Sequence, residues 1–432
     1  MQAVILAGGS GSRLKTRLGD LPKPMVSLCG KPLLEHQIEL LRSHGFTRIL
    51  LLLGYNPDAI SGYFGDGRNF GVEIEYAVEQ APLGSAGAVL AVYGRLEEHF
   101  LVLYGDTALN VDLRRFWDAH LAHGADASLF VHPNDHPQDS DLVETDQSGR
   151  ILDFYPYPHP AGHFYPNLVN AALYVVNARA LEPWLTLRPP LDFGKDLFRL
   201  MLLQGQHLFG YRSREYIKDI GTPERLDRVE ADLRSGRIAA SSFATPAKAV
   251  FLDRDGTINE EVNRVSDPAE FRLLPGVAAA IRRLNRSGYA TVVVTNQPVI
   301  ARGDCTEDTL REITNKMETQ LGEAGAYLDA VYYCPHHPDK GFPGERAELK
   351  FVCSCRKPAT GLITAACRDM NLDLASSWLI GDSETDMLTA RHAGIPSILV
   401  ETGHASGDSV PDHRFPSLTE AVDFLLGKQA QA

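Results

Sequence analysis

An aspartate pair follows an apolar run in the second half of the chain. Residues 249–252 read Ala-Val-Phe-Leu, and residues 253–257 continue Asp-Arg-Asp-Gly-Thr. A carboxylate at the end of a buried strand can attack phosphorus, and a second one two residues on can protonate the leaving oxygen. The spacing predicts Asp253 as a nucleophile and Asp255 as a general acid and then base. The alternative is a chance match of this motif.

A glycine-rich loop follows the first apolar run of the chain. Residues 3–7 are apolar, and Gly8, Gly9, Gly11 and Arg13 come directly after them. Glycines permit positive φ and leave backbone N–H groups free to wrap a triphosphate, while arginine adds a bidentate phosphate contact. The loop therefore indicates a phosphate site, with a simple tight turn as the alternative for the loop alone.

Lys23 stands between two prolines about ten residues after this loop. The prolines hold the chain stiffly, which suits an ammonium group that must meet a phosphate in the transition state. The lysine and the loop together favour phosphate chemistry over a tight turn.

Three of the six cysteines lie near two adjacent histidines. They are Cys334, Cys353 and Cys355, and the histidines are His336 and His337. Two thiolates one residue apart that face a Cys-x-His pair predict a tetrahedral zinc site with four protein ligands, and such a closed site is structural. Free buried cysteines beside surface histidines are the alternative. A metal site also fits a reducing compartment, so we expect a cytoplasmic protein.

Alternating apolar runs and helical segments must position these residues. The runs predicted as strands are 3–7, 49–53, 74–77, 101–104 and 129–131 in the first half, and 249–253, 291–294, 330–333, 378–380 and 397–400 in the second. This alternation predicts α/β architecture with two Rossmann-like domains, whose ligands bind at the carboxyl ends of the strands.

The chain is predicted to divide into two domains joined by a short linker. Residues 235–248 are small and polar and lack a hydrophobic period, and a helix over 223–235 precedes them. We expect a first domain over 1–235, a linker over 236–247 and a second domain over 248–428.

Charge and hydropathy exclude two classes of partner. The formal net charge is -13, which argues against a nucleic-acid backbone or an anionic membrane. No apolar run approaches the roughly 20 residues that span a bilayer, and the start of the chain does not have the pattern of a signal peptide. We expect neither a nucleic-acid nor a membrane partner.

The first domain resembles the sugar-1-phosphate nucleotidyltransferase family, whose signature is a GGxGxRL loop followed by Pro-Lys-Pro. The resemblance covers most of residues 1–235 and extends to four later segments, which are Pro82-Leu83-Gly84-Ser85-Ala86-Gly87, Tyr104-Gly105-Asp106, Asn170-Ala171-Ala172 and Asp219-Ile220-Gly221-Thr222-Pro223.

This resemblance implies a GT-A-like mixed sheet, a nucleoside triphosphate (GTP being the expected one) and a sugar phosphate. It implies that Gly84 and Gly87 contact the nucleobase, that Asn170 contacts the sugar, and that Asp106 and Asp219 hold Mg2+. Lys23 and Arg13 would steady the phosphates. The alternative for Asp219 is a helix N-cap.

One segment departs from the family pattern. Many relatives carry Val-Glu-Lys-Pro, whose lysine meets the phosphates, whereas residues 152–156 here read Leu-Asp-Phe-Tyr-Pro. Lys195 is the candidate replacement. If it does not replace that lysine, the first domain turns over poorly or only binds.

The second domain resembles the haloacid dehalogenase superfamily of phosphatases. The segments that carry the resemblance are 253–257, Thr295-Asn296-Gln297, Arg356-Lys357-Pro358 and Gly381-Asp382-Ser383-Glu384-Thr385-Asp386. It implies that Asp253, Asp255 and Asp382 bind Mg2+, and that Asp386 supports Asp382. It also implies that Thr295 bonds the phosphoryl group, that Asn296 lies at the ligand, and that Lys357 offsets negative charge.

Two families combine this nucleophile loop with a zinc loop, the heptose 1,7-bisphosphate 7-phosphatases and the histidinol-phosphate phosphatases. Ala301-Arg302-Gly303 resembles the former, in which Arg302 would meet a second phosphate, although Pro298 and Val299 depart from its usual pair. The zinc ligand of that subfamily lies two residues after the cysteine, which favours His336.

The fusion itself favours the heptose reading, because heptose 1-phosphate, the product of the phosphatase, is an acceptor for a sugar-1-phosphate guanylyltransferase. We therefore predict a bifunctional enzyme of nucleotide-activated heptose synthesis. One alternative is a phosphatase fused to a nucleotide-sugar-binding regulatory module. Another is a transferase for a different sugar 1-phosphate with a histidinol-phosphate-type phosphatase. The sequence is compatible with both a monomer and a homo-oligomer.

Overall fold

The computed structural model describes residues 1–9, 11–404 and 410–429 and divides into two compact units. The N-terminal unit comprises Met1–His132, Val143–Pro156 and Val169–Thr245. The C-terminal unit comprises Pro133–Leu142, Tyr157–Leu168 and the chain from Pro246 onward. Two short segments from the first half of the sequence thus belong to the second unit, and within it the Asn167 N–H donates to Glu318 Oε2 at 2.8 Å.

The first half of the chain contains thirteen described strands and eight described α-helices. The strands are β1 Gln2–Ala7, β2 Ser27–Leu28, β3 Lys31–Pro32, β4 Arg48–Leu53, β5 Glu73–Val78, β6 His99–Tyr104, β7 Thr107–Asn110, β8 Ala127–His132, β9 Leu142–Thr145, β10 Ile151–Tyr155, β11 Val169–Asn177, β12 Leu208–Arg212 and β13 Tyr216–Asp219. The helices are α1 Lys15–Leu18, α2 Leu33–Ser43, α3 Pro57–Phe64, α4 Ser85–Ala91, α5 Leu113–His123, α6 Phe198–Leu203, α7 Pro223–Arg234 and α8 Arg237–Ala240.

The main sheet of this unit is mixed. Its strand order is β10-β9-β11-β6-β1-β4-β5, and β8 pairs with β11 and β12. The central strands β6, β1, β4 and β5 run parallel, and β11 is antiparallel to β6. Because β1 lies between two parallel neighbours, Ala3, Val4 and Ile5 are fully buried, which explains the unbroken apolar run in the sequence.

Helices pack against the sheet through apolar stripes, and capping residues mark where they begin and end. On α2, Leu34, Ile38 and Leu41 recur at helical spacing and are buried in the core. Helix α5 begins after Asp112, whose side chain accepts a 2.9 Å hydrogen bond from the Arg115 N–H, and it ends at Gly124 with φ +57°.

The C-terminal unit is built on a six-stranded sheet. Its strands are β14 Ala249–Leu252, β15 Ala290–Asn296, β16 Ala330–Cys334, β17 Trp378–Gly381, β18 Ser397–Val400 and β19 His413–Phe415, and its helices are α9 Val277–Ser287, α10 Val299–Arg302, α11 Glu307–Glu323, α12 Gly361–Met370, α13 Glu384–Ala393 and α14 Leu418–Gln429. The order is β16-β15-β14-β17-β18-β19, and all five pairings are parallel.

Strand β14 is buried on both faces of this sheet. Val250 and Leu252 pack into one hydrophobic cluster, and Ala249 and Phe251 pack into another. A strand covered on both faces must be apolar at every position, so the first polar residues fall where it ends. The predicted α/β class and the ten predicted strands are confirmed.

The stretch predicted as a linker begins with regular structure. Helix α8 occupies its first part, and Ile238 is buried with Leu226 and Val229 of α7. The two compact units meet in sequence at Thr245 and Pro246. Among the described helices, none combines the length and hydropathy that crossing a membrane requires.

Candidate active sites

Three of the predicted phosphatase residues lie at the ends of neighbouring strands. Strands β15, β14 and β17 are adjacent and parallel, so their carboxyl ends meet at one edge. Asp253 follows β14, Thr295 is the second-last residue of β15, and Asp382 follows β17. The edge is the place where ligands bind in sheets of this kind.

Lys357 joins two carboxylates at this edge. Its Nζ lies 2.9 Å from Asp253 Oδ1 and donates a 2.6 Å hydrogen bond to Asp386 Oδ1. Burial by itself would lower the pKa of Lys357, but attraction to Asp253 and Asp386 outweighs burial and raises the pKa. The ammonium group therefore stays charged and fixes the direction of the Asp253 carboxylate.

Asp253, Asp382 and Asp386 each offer an oxygen within 4.8 Å of the others. Both oxygens of Asp386 are occupied, because Oδ1 accepts from Lys357 and Oδ2 accepts from the N–H and Oγ of Ser383. Burial raises the pKa of Asp253 and raises that of Asp382 to about 6. A divalent cation favours the ionised forms, and carboxylate oxygens are the ligands that Mg2+ prefers, so Asp253 and Asp382 fit such an ion.

Asp255 points into a network of hydrogen-bond donors. The Arg254 guanidinium contacts both of its oxygens at 2.9 Å, Asn259 Nδ2 donates at 3.0 Å, and Gln297 Nε2 donates at 2.9 Å. Burial would raise the pKa of Asp255, but Arg254 and the two amides outweigh burial and lower it. Its carboxylate is not part of the described acidic cluster around Asp253.

Gly256 and Asn296 help to position the residues of this site. Gly256 has φ +74°, and a Cβ there would lie 2.4 Å from Asp382 Oδ2, so only glycine fits. The Asn296 amide pairs with the backbone of Lys357, donating to its carbonyl at 3.0 Å and accepting from its N–H at 2.9 Å. Asn296 therefore holds Lys357 in place.

The four predicted zinc ligands converge. The distances between the sulfur atoms of Cys334, Cys353 and Cys355 are 3.1 to 3.5 Å, and His336 Nδ1 lies 3.2 Å from Cys355 Sγ and 3.6 Å from Cys334 Sγ. Ligands around one zinc ion are separated by about 3.5 to 3.8 Å, given the usual Zn–S and Zn–N bond lengths. The set fits zinc, and Lys357 follows Cys355 by two residues.

His337 faces away from the thiols, toward Arg302. Arg302 Nη2 lies 3.0 Å from His337 Nε2, and the Asp339 N–H points at His337 Nδ1 from 3.2 Å. Burial lowers the pKa of His337, and a neutral imidazole accepts at only one nitrogen. One of these two donors is therefore poorly matched. Arg302 Nε is also buried without a hydrogen-bond partner among the described residues.

In the N-terminal unit, Lys23 Nζ forms an ion pair with Asp106 Oδ2. Asp106 comes just after β6, and the adjacent Gly105 N–H donates to the Leu6 carbonyl at 2.9 Å. The glycine loop that follows β1 is therefore close to Asp106. Gly11 has φ +63°, and a Cβ there would meet Leu18 at 2.7 Å, which explains the glycine.

A two-stranded ribbon brings Asp219 toward Asp106. Strands β7 and β13 are antiparallel, with Thr107 opposite Asp219, and the Ile220 N–H donates to the Asp106 carbonyl at 2.9 Å. Burial would raise the pKa of Asp219, but Arg225, which contacts both carboxylate oxygens at 2.7 Å, outweighs burial and lowers it. Thr222, rather than Asp219, caps helix α7.

A cleft of about 540 Å3 opens beside these residues. It is lined by Leu6, Gly8, Gly9, Lys23, Pro24, Gly54, Tyr55, Glu79, Gln80, Ala81, Pro82, Gly84, Ser85, Ala88, Tyr104 and Asp106. The glycine loop, Lys23 and Asp106 thus share one cleft with the Pro82–Ser85 segment. The cleft is large enough for a nucleotide.

Comparison with known families matches the two halves of the chain to two different families. The nucleotidyl transferase family model matches residues 2–236, and a HAD-hydrolase-like model matches residues 354–421. D-glycero-beta-D-manno-heptose-1,7-bisphosphate 7-phosphatase from Yersinia pestis is 41% identical over 176 residues, which are 40% of this chain and 92% of that protein. This chain belongs to the nucleotidyl transferase family and, in its C-terminal part, to the family of these phosphatases.

Two solved structures resemble the two parts of this nucleotidyl transferase–phosphatase. HddC from Yersinia pseudotuberculosis is 27% identical, covers 54% of this chain and 99% of its own, and has a TM-score of 0.45. D,D-heptose 1.7-bisphosphate phosphatase from B. bronchiseptica, complexed with magnesium and phosphate, is 33% identical, covers 42% of this chain and 99% of its own, and has a TM-score of 0.37. The predictions of a transferase and a phosphoester hydrolase are confirmed by the family matches.

Several residues predicted for the transferase site lie outside the described cleft lining. Gly11 lies behind it against Leu18, and the Gly87 N–H donates to the Leu191 carbonyl at 3.2 Å. Asn170 accepts from the Ala172 N–H at 3.3 Å. Arg13 is exposed, and its guanidinium approaches Gly221 beside Asp219.

Lys195, the candidate for the missing family lysine, is exposed. Its backbone N–H donates to Asp192 Oδ1 at 3.1 Å, in the turn that also holds Ser85 through Asp192 Oδ2. The described lining of the cleft does not include Lys195.

Sequence reasoning missed three residues that the structure brings into the sites. Arg254 is 1% exposed and Gln297 is 2% exposed, and both bind Asp255. Each stands inside a motif already singled out: Arg254 directly precedes Asp255, and Gln297 lies two residues after Thr295. Glu79 lines the transferase cleft, and only its place directly after β5 could have drawn attention to it.

Proposed function

We propose that this nucleotidyl transferase–phosphatase catalyses two consecutive steps of nucleotide-activated heptose synthesis. The C-terminal domain, residues 248–428, removes the 7-phosphate of D-glycero-D-manno-heptose 1,7-bisphosphate. The N-terminal domain, residues 1–235, then transfers a nucleotidyl group, guanylyl in our proposal, to heptose 1-phosphate. The observation that carries the proposal is the pairing of the two families in one chain, because the product of one reaction is the acceptor of the other.

The phosphatase reaction begins with attack by Asp253. An Asp253 oxygen bonds to phosphorus, the bond from phosphorus to the sugar oxygen breaks, and the sugar oxygen receives a proton. Lys357 stabilises the negative charge that collects on nucleophile and phosphate. Asp253 and Asp382 would hold Mg2+, which supplies further neutralisation of the phosphoryl oxygens.

Asp255 serves both halves of this reaction as proton donor and acceptor. Its low pKa beside Arg254 suits the second half, in which it takes a proton from the water that hydrolyses the aspartyl-phosphate. In the first half it delivers a proton to the leaving oxygen. For this it must turn from Arg254 toward the substrate, because leaving the guanidinium removes the contact that lowers its pKa and lets the carboxylate first take up a proton from solvent. Thr295 would donate to a phosphoryl oxygen.

Arg302 would bind the second phosphate of the bisphosphate. Its mismatched contact with His337 and its unpartnered Nε leave donors that a phosphate oxygen can accept. The zinc site, with Cys334, His336, Cys353 and Cys355 as ligands, would pin the loop that carries Lys357. Thiol ligands of this kind persist in the cytoplasm, where we place the protein.

The transferase reaction is an in-line displacement at the α-phosphorus. A phosphate oxygen of heptose 1-phosphate bonds to that phosphorus, and the bond to the β-phosphate oxygen breaks to release pyrophosphate. Lys23 and Arg13 would neutralise the phosphates, with the loop of Gly8 and Gly9 wrapping them. Asp106 and Asp219 would hold Mg2+ after exchanging their lysine and arginine partners for it.

A second candidate function is a phosphatase fused to a nucleotide-sugar-binding module. The observation that favours it is the exposed position of Lys195 in a chain that lacks the family's Val-Glu-Lys-Pro lysine. It differs from the first candidate in releasing no pyrophosphate.

The test supplies purified protein and Mg2+ with the α or the β anomer of heptose 1,7-bisphosphate and with each of four nucleoside triphosphates. Inorganic phosphate followed by pyrophosphate with GTP is the expected result. Phosphate without pyrophosphate from any nucleotide or from added sugar 1-phosphates would support the binding module. No phosphate from either anomer, with release from histidinol phosphate instead, would overturn the heptose assignment.

A further inference from the structure

Glu79 brings a negative charge into the cleft that would receive a nucleoside triphosphate. It follows β5 directly, and its N–H donates to the Leu53 carbonyl at 2.8 Å, so its backbone continues the sheet pairing. Its half-buried side chain lines the cleft, and Oε2 accepts a 3.2 Å hydrogen bond from the Leu83 N–H. The sheet and this bond hold the carboxylate in a defined direction.

This carboxylate has no cationic partner in the described part of the chain. The other two charged residues that line the cleft, Lys23 and Asp106, pair with each other. A carboxylate near a triphosphate is unfavourable by Coulomb repulsion unless a donor on the ligand meets it. The position of Glu79 therefore calls for a nucleotide group that carries N–H or O–H donors.

Glu79 lies between the glycine loop and the Pro82–Ser85 segment, whose Gly84 is implied by the family resemblance to contact the nucleobase. Its Oε1 is 3.5 Å from the place where a Cβ on Gly8 would stand, and its Oε2 contacts the start of the Pro82–Ser85 segment. Gly84 has φ +76°, and a Cβ there would lie 2.4 Å from the Leu191 carbonyl oxygen, so that segment is held close to the fold. A nucleobase bound at Gly84 would therefore lie beside the Glu79 carboxylate.

The chemistry of the bases decides which ring a carboxylate accepts. Guanine presents two adjacent donors, N1–H and the 2-amino group, which match the two oxygens of a carboxylate. Adenine presents an acceptor at N1, and uracil presents one donor between two acceptors. Because each carboxylate oxygen has two lone pairs, Glu79 can keep its bond from Leu83 while it accepts from guanine.

We propose that Glu79 is a specificity-determining residue that selects guanine by accepting hydrogen bonds from N1–H and the 2-amino group. The inference rests on the proposed nucleotidyl transfer and adds the group that chooses its nucleotide.

The test compares GTP with ITP, which lacks only the 2-amino group, in the full-length protein and in Glu79→Gln. The wild-type kcat/KM for GTP should exceed that for ITP by about 10-fold or more. Glu79→Gln should lower kcat/KM for GTP by roughly 10- to 100-fold, the discrimination that a bidentate contact supplies, and should bring the GTP-to-ITP ratio to about 3 or below. Glu75→Gln is the matched control, because Glu75 lies on β5, the strand that Glu79 directly follows, is exposed and pairs with Arg95.

A merely structural role for Glu79 would lower activity with GTP and ITP equally. That result, or a wild-type preference for another nucleotide, would overturn the inference. Failure of the proposed function is a separate outcome, in which the wild type releases no pyrophosphate from any nucleotide. In that case calorimetric binding of GTP and ITP to the wild type and to Glu79→Gln still decides the role of Glu79, and the melting temperature of each variant reports its folding.

Discussion

Both active sites pair a lysine with an aspartate, but the two pairs differ in burial. Lys357 has a side chain that is 3% exposed, and it contacts two carboxylates, Asp253 and Asp386. The side chain of Lys23 is 12% exposed and that of its partner Asp106 is 28% exposed, at the wall of an open cleft. Buried charges are held in one arrangement, whereas partly exposed charges can exchange partners.

The difference follows from the two kinds of chemistry. A covalent nucleophile must keep one direction with little water around it, since its carboxylate itself attacks phosphorus. A transferase instead brings two substrates together, and in the proposed reaction Lys23 would leave Asp106 to meet a phosphate. The phosphatase site is therefore part of the folded core, while the transferase site is a surface that a ligand completes.

The largest expected effect is that of Asp253→Asn. Removing the nucleophile's charge should lower phosphate release by about 1,000-fold or more, because no aspartyl-phosphate forms. Pyrophosphate release with supplied heptose 1-phosphate should stay within about 2-fold of the wild type. A variant that still released phosphate at the wild-type rate would refute the role of Asp253.

Lys357→Met and Lys23→Met compare the two pairs directly. Without Lys357, two buried carboxylates lose their counter-charge, and the C-terminal unit should lose about 3 kcal/mol or more of unfolding free energy together with its activity. Lys23→Met should lower pyrophosphate release about 100-fold but change stability by under about 1 kcal/mol. The stability of both variants is measured by thermal unfolding. Equal losses in the two variants would show that the two lysine–aspartate pairs do not differ in their contribution to stability.

The zinc loop should matter for stability as well as for Lys357. Cys355→Ser should remove bound zinc and lower the melting temperature of the C-terminal unit by roughly 5 to 10 °C. Cys367→Ser is the control, since Cys367 is a free cysteine outside the cluster. Elemental analysis that finds one zinc per chain in Cys355→Ser would contradict the ligand assignment.

The N-terminal unit should lose stability in acid because of His120. Burial, with a smaller contribution from His99, lowers the pKa of His120 from 6.5 to about 4. The unfolded chain therefore binds a proton at higher pH than the folded one, and stability that is complete above pH 6.5 is lost as the pH falls toward 4.

The N-terminal unit should lose about 3 kcal/mol of unfolding free energy between pH 6.5 and 4 because of His120. The unfolding free energy, measured at several pH values, should fall as the pH is lowered from 6.5 to 4. The slope of this fall should be smaller in His120→Gln than in the wild type. His123→Gln, an exposed histidine on the same helix, should keep the full slope. An unchanged slope in His120→Gln would mean that another group carries the effect.

The smallest expected effect is that of Ala172→Gly. Ala172 has φ +57°, a left-handed conformation that costs a residue with a Cβ about 1 kcal/mol. The substitution should raise the unfolding free energy of the N-terminal unit by about 0.5 to 1 kcal/mol. Ala171→Gly, one residue earlier, serves as the control and should destabilise.

Local patterns in the sequence were sufficient for the architecture and for the two chemical classes. An apolar run such as 249–252 must be a strand buried on both faces, and the carboxylates that follow it must lie at the sheet edge. The spacing of Cys334, His336, Cys353 and Cys355 likewise predicted a cluster, because few other arrangements gather four such ligands. These inferences depend on short stretches of chain and on general rules of packing.

Only the tertiary structure decided what each site residue contacts. Asp255 turns to Arg254 and Gln297, Asn296 supports the backbone of Lys357, and Glu79 enters the cleft beside Gly8. The register of β7 against β13 sets Asp219 near Asp106 across more than a hundred residues. Such contacts depend on how distant segments pack, and a side chain's charge state follows from those neighbours, so neither can be read from the residue types alone.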